Sequence, residues 1–407
     1  MLLPRKWEMR YPRKVWVLGF GMFVYLTGMS FLWPLITIYT TQQLGGSMRI
    51  AGLVLMVYQG AGMVGSLLGG MLYDRYGARR IIPIGAVGAA VFVFILPWIE
   101  SIGIFAFILS LSGVCINVVF PIMYALVGDA WPEGGRKAFN LMYVSSNLGV
   151  ALGAAIGGML AQISFMYVFL ANGLLYLSFL WIVLKRFPYP DRDSKALKQI
   201  SSAGLAVGSG KRRWISLLVL CVGYMLCWMA YVQWQSNIST FMLTLDYPTA
   251  LYSLLWTVNG LVILCAQPLI TYVTKRWLVS LRSQLISGVI LFMLALLGMS
   301  QFHLPFAWMV VWMTVMTLGE ILIWAAVPTA AAELAPPRQS GRYQGMVSFA
   351  ATAGRMVGPV FGAIVVECGG AEGMLWVMSA ILVIPIVHFA CYHLFAKDTL
   401  HAHQPSQ

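Results

Sequence analysis

Twelve apolar runs, each with about 18 or more residues and so long enough to cross a bilayer as a helix, dominate the chain. Six lie approximately from Lys14 to Tyr39, Met48 to Tyr73, Ile81 to Trp98, Ser101 to Val127, Ala138 to Ile163 and Phe165 to Leu184. Six more run from Trp214 to Phe241, Thr249 to Val273, Val279 to Gln301, Leu304 to Ala332, Tyr343 to Val366 and Gly373 to Phe395. Lipid offers no water to bond exposed N–H and C=O groups, so such runs must satisfy their backbones internally, as helices. The expected fold class is therefore an all-α membrane protein. Composition agrees, since 10% of residues are charged, against roughly 25% in a soluble domain. The first run is too long for a cleaved signal peptide and is expected to remain as a span.

A net charge of +13 suggests nucleic acid in a soluble chain, but here the positive residues sit between the apolar runs. Arg5, Lys6, Arg10, Arg13 and Lys14 precede the first span. Arg75, Arg79 and Arg80 follow the second, Arg136 and Lys137 the fourth, Lys275, Arg276 and Arg282 the eighth, and Arg338 and Arg342 the tenth. The opposite connections hold Arg49 with Glu100, Asp246, Glu367 and Glu372. Positive residues accumulate on the cytoplasmic side of membrane proteins. Both termini and the central segment are thus expected in the cytoplasm of a multi-pass plasma membrane protein, with no nucleic-acid partner. The six cysteines show neither disulfide nor zinc spacing, and His401 and His403 in the tail make a poor metal site. No cofactor or metal is expected. Nor is an enzyme, since paired carboxylates and nucleophile triads do not appear.

The segment between the sixth and seventh spans is rich in Gly, Ser and Lys and reads as a flexible linker. The expected organisation is a first six-helix half at 1–185, a linker at 186–213, a second half at 214–396 and a tail at 397–407. A repeat supports the division. Gly149, Gly153 and Gly157 of the fifth span map onto Gly354, Gly358 and Gly362 of the eleventh by a shift of 205, which also carries Pro132 onto Pro337. Duplicated halves imply pseudo-symmetry about an axis along the membrane normal.

After the second span the sequence GGMLYDRYGARR contains Gly69, Gly70, Asp74, Arg75, Gly77, Arg79 and Arg80. Its glycines admit a close neighbour, and Asp74 can accept from a helix N-terminus or an arginine. The stretch resembles the loop signature GxLaDrxGrkxxl of the major facilitator superfamily, with Gly70 (or Gly69), Asp74, Arg75, Gly77, Arg79 and Arg80 at the matching places. With the linker and the repeat, the resemblance covers essentially the whole chain. It implies two pseudo-symmetric six-helix bundles, a gating role for this loop, and alternating-access transport. The fifth-span sequence GVALGAAIGG, with Gly149, Gly153, Gly157 and Gly158, is similar to the antiporter motif gxxxGPxxGG of that superfamily, although Ala154 replaces its proline. That likeness implies exchange against protons; the plainer reading is a face of glycines for helix packing.

Glu320 is the single carboxylate well inside an apolar run, where burial costs several kcal/mol by order of magnitude unless it is protonated or partnered. It precedes Glu333 by 13 residues, which places it about 20 Å from that end of the helix at roughly 1.5 Å per residue, near mid-depth. Arg355, the mid-span basic residue of the eleventh run, reaches a similar depth. The two either pair structurally or act separately, Glu320 as a protonatable group facing the cavity and Arg355 with another partner. The Leu318-Gly319-Glu320 stretch looks like that of lactococcal-type multidrug efflux carriers, which implies cation recognition and proton coupling for Glu320. Two groups usual in such carriers are missing: the fourth span has no arginine, with Asn117 as its most polar residue, and Met142 stands at the place of an aspartate in the fifth.

Substrate contacts are expected from Trp33, Asn117, Tyr143, Gln233, Gln235, Asn237, Trp256 and Trp324, which place hydrogen-bonding groups and aromatic faces within spans. For each, tying helices together is the competing role. Aromatics and 24 methionines suit an adaptable apolar cavity. The resulting expectation is a monomeric, proton-coupled exporter of lipophilic or cationic small molecules embedded in lipid. A symporter or uniporter of a small metabolite and a non-transporting receptor or scaffold are the alternatives.

Overall fold

In the computed structural model, residues 11–32, 35–189, 207–302 and 304–394 are described, and they are helical with short turns and no strand among them. Trp33, most of the central linker and the tail with His401 and His403 lie outside the described residues. The chain divides into two compact units, Met1–Ser194 and Lys195–Gln407.

Ten helical segments among the described residues are long and apolar enough to cross a membrane. An eleventh span is a bent pair, Leu251–Cys265 with Gln267–Arg276, turned by 54°. The segment Ser340–Cys391 contains a break at Gly370, where φ is 72°, and so supplies two spans. These are the twelve expected runs, with local differences. The first span is the helix Arg13–Leu32 followed by a second helix Ile36–Gln42. The seventh span begins at Val207, earlier than the Trp214 expected from hydropathy. The eighth breaks because Ala266 ends one helix with Pro268 in the first turn of the next, where its missing N–H is harmless. Between spans, serines cap the new helices: Ser47, Ser164 and Ser280 each accept a backbone N–H of the first turn.

Within the first unit the first span packs on the fifth and sixth, the fourth on the second and third, and the third on the sixth. Within the second unit the same scheme recurs six spans later: seventh on eleventh and twelfth, tenth on eighth and ninth, ninth on twelfth. The glycine ladders explain the tightest pair of each unit. A Cβ at Gly149, Gly153 or Gly157 would meet the backbone of Phe23, Thr27 or Phe31 on the first span. In the second unit Gly354 and Gly358 lie against the backbone of Met225 and Met229 on the seventh span, and Gly362 lies against the Gln233 side chain. Gly158, the last glycine of the antiporter-like stretch, faces open space. Large apolar side chains such as Ile84, Met159 and Val360 point outward and are well exposed, as expected where the surrounding solvent is lipid.

Candidate functional site

The helix connection after the second span is a single residue. Gly77 takes φ 81° and ψ 162°, a conformation that L side chains rarely adopt and glycine tolerates, so the third span starts at once. Gly70 is buried, Asp74 half-buried, and Arg75, Arg79 and Arg80 are exposed. The Arg75 guanidinium lies 5.1 Å from the centre of the Tyr76 ring. Beneath the loop the Tyr73 hydroxyl donates to Asp129 Oδ2 at 2.6 Å, fastening the second span to the end of the fourth. Sequence reasoning did not single out Asp129. Arg79 faces Tyr189 after the sixth span, whose phenol is pushed up to about 12 by burial, with the arginine opposing. Arg282 bears the same relation to Tyr392, pushed up to about 12 by burial and by Glu333 against Arg282. Both members of the pair move by about 203 positions, close to the shift of the glycine ladder, so the second unit keeps this arginine although Trp277 stands at the place of the aspartate.

The second unit brings Glu320 into a polar knot at the centre of the tenth span, Phe306–Leu334. Glu320 is 3% exposed. Asn259 of the eighth span donates through Nδ2 to Glu320 Oε2 at 2.9 Å and to Thr317 Oγ1 at 2.9 Å. Thr317 passes its own proton to the Met313 carbonyl at 2.7 Å. Tyr231, from the seventh span, adds its phenol beside Glu320 and Asn259. Asn259, Thr317 and Tyr231, three side chains from three helices, thus gather about one carboxyl group.

A series of aromatic rings leads away from this knot. Tyr231 lies 5.4 Å from Trp324, 6.1 Å from Phe292 and 6.4 Å from Trp256, centre to centre. Trp324 lies 4.6 Å from Trp228, and Tyr224 contacts both tryptophans. At the far end the Arg355 guanidinium sits 4.6 Å from the centre of the Trp228 ring and donates to Thr352 Oγ1 at 3.0 Å. A cation over an aromatic face is attracted by the ring quadrupole, most strongly on tryptophan. Glu320 and Arg355 therefore flank one aromatic series. Tyr224, Trp228 and Tyr231 were not singled out in the sequence, although their spacing of four and three residues marks one face of a helix.

The other expected contact residues have varied surroundings. Gln233 is buried, and its Nε2 donates at 2.8 Å to the carbonyls of both Met229 and Gly358. Asn237 donates to Gln233 Oε1 at 2.6 Å and to the Pro359 carbonyl at 3.2 Å. Both amides therefore join the seventh span to the eleventh around Pro359. Gln235 is half-buried and its Oε1 is a buried atom without a hydrogen bond. In the first unit Asn117 donates to the Gly113 carbonyl at 2.9 Å and fills the space beside Gly62, while Tyr143 is buried, as is Met142. The described residues include no group of His, Cys, Asp and Glu side chains fit to hold a metal.

The model of the Major Facilitator Superfamily matches residues 18–282 and 237–407. The uncharacterized MFS-type transporter YttB of Bacillus subtilis (strain 168) is 42% identical, covering 94% of this chain and 95% of that protein. A Na(+), Li(+), K(+)/H(+) antiporter of Planococcus maritimus is 25% identical over 93% of this chain and 96% of its own length. Among solved structures, the human organic anion transporter MFSD10 (TETRAN) shares the fold with a TM-score of 0.73 at 16% identity, covering 93% of this chain and 99% of that one. With its helices, its repeated packing scheme and these matches, this multi-pass membrane chain belongs to the Major Facilitator Superfamily and is a transporter of that family.

Proposed function

We propose that the chain exports lipophilic cations in exchange for protons by alternating access, with Glu320 as the group that carries the proton. The observation that carries this reading is a single buried carboxyl group, held by Asn259, Thr317 and Tyr231, at one end of a series of aromatic rings. A lipophilic cation seated on Trp324, Tyr231 and Trp256 gains about 2 kcal/mol or more from a desolvated aromatic face. It gains further from an ionised Glu320. Protonation of Glu320 removes that second attraction, so proton and substrate compete for one negative charge, which is the requirement for exchange. Arg355 belongs to the same device because it already occupies the face of Trp228, where an incoming cation would compete with it. The likeness to a protein named as a cation/H(+) antiporter supports exchange against protons.

The test is proton release on substrate binding. Tetraphenylphosphonium added to the purified protein in weakly buffered detergent solution is expected to release protons from the native chain. None is expected from Glu320→Gln, while its melting temperature stays near the native value. Equal release from the variant would contradict the assignment.

A further inference from the structure

The first unit carries a groove between the start of the first span and the end of the sixth. It measures about 480 Å3 and is lined by Arg13, Trp16, Phe20, Trp181 and Arg186 over Val17 and Ile182. Arg13 and Arg186 are exposed, and among the described residues neither guanidinium has a hydrogen-bond or ion-pair partner. Trp16, Phe20 and Trp181 are 55%, 55% and 59% exposed, with Trp16 beside Tyr11 and Phe20 beside Phe23.

The order of these residues along the helices matters. Trp16 and Phe20 follow Arg13 into the first span, and Trp181 precedes Arg186 in the sixth, so the rings lie roughly 5–10 Å deeper than the charges at about 1.5 Å per residue. Charges at the polar boundary with aromatic faces beneath repeat the order of a phospholipid, phosphate first and acyl chain below. Among the described residues the lining holds no carboxylate, and each guanidinium offers planar donors suited to phosphate oxygens. A zwitterionic headgroup would bring its own ammonium into this basic site, whereas a headgroup without an amine leaves the negative charge uncompensated for the two arginines.

We propose that this groove binds one anionic glycerophospholipid, its phosphate bridged by Arg13 and Arg186 and an acyl chain lying over Trp16, Phe20 and Trp181. The experiment titrates the purified full-length protein with phosphatidylglycerol or phosphatidylethanolamine and counts retained lipid by native mass spectrometry. Phosphatidylglycerol should be retained preferentially, and its retention should fall about thirtyfold in the Arg13→Gln/Arg186→Gln variant, given about 1 kcal/mol for each basic residue at a membrane surface. The Lys14→Gln/Lys185→Gln variant removes two neighbouring charges outside the groove and should retain the lipid as the native chain does. Unchanged retention in the arginine variant would overturn the proposal, and so would an equal loss in the lysine variant, which marks a diffuse charge effect. Thermal melts supply a second readout: phosphatidylglycerol should raise the native melting temperature more than inorganic phosphate does, and equal stabilisation by the two would also overturn it.

Discussion

Glu320 is the residue on which the proposed exchange turns, and it was visible in the sequence because a carboxylate inside an apolar run must find partners or a proton. Its partners were harder to read. Asn259 lies on a different helix, and nothing in either local stretch says that the two side chains meet at 2.9 Å. The same holds for Arg355, whose depth was legible in the sequence but whose place over the Trp228 ring was not. This contact makes a residue-scale prediction. In a double-mutant cycle of Arg355→Gln and Trp228→Leu, read as thermal stability in detergent, the two positions should couple by about 0.5–2 kcal/mol. Strictly additive losses would mean that the ring and the guanidinium do not support one another. Gln233 and Asn237 show the opposite difficulty. Amides within a span signal either a ligand or a neighbouring helix, and here they reach the Gly358 and Pro359 carbonyls.

At the scale of the helices, hydropathy located every span, because apolar length is what a bilayer demands. Breaks inside spans were less legible. The break at Gly370 falls between Glu367 and Glu372, where the sequence already separates two runs, whereas the bend at Ala266 shows only as a proline in a first turn. The glycine ladder was legible as a pattern, and the structure distinguishes its members. Gly153 lies against the Thr27 backbone, which cannot yield as a side chain could, whereas Gly158 has nothing near it. Gly153→Val should therefore lower stability by about 1–3 kcal/mol through overpacking, while Gly158→Ala should be neutral or slightly stabilising, since alanine is the better helix former. Melting temperatures of the two variants check this. A Gly153→Val protein as stable as the native chain would show that the first and fifth spans can separate freely.

For the whole molecule, the repeat extends beyond the glycines that revealed it. The helix pairing of one unit recurs in the other, Gly85 lies against Val119 and the Cys115 carbonyl as Gly288 lies against Ile323 and the Gly319 carbonyl, and Arg79 with Tyr189 is matched by Arg282 with Tyr392. Chemistry does not follow the symmetry. The aspartate of the basic loop belongs to the first unit and the buried carboxyl group to the second, so the duplicated scaffold carries different work in each half. The charge distribution leads us to expect both termini in the cytoplasm. Single cysteines introduced at Arg80 and Glu100 in a chain otherwise free of cysteine should react oppositely with a membrane-impermeant maleimide added to intact cells: Glu100→Cys labelled, Arg80→Cys protected. The reverse pattern would invert the orientation. The central claim, proton-driven export through Glu320, is tested most directly in proteoliposomes with an imposed pH gradient. The native chain should move tetraphenylphosphonium against its concentration gradient, at a rate that disappears when the proton gradient is collapsed, and Glu320→Gln should show no gradient-driven movement. Undiminished pH-driven transport by Glu320→Gln would contradict it.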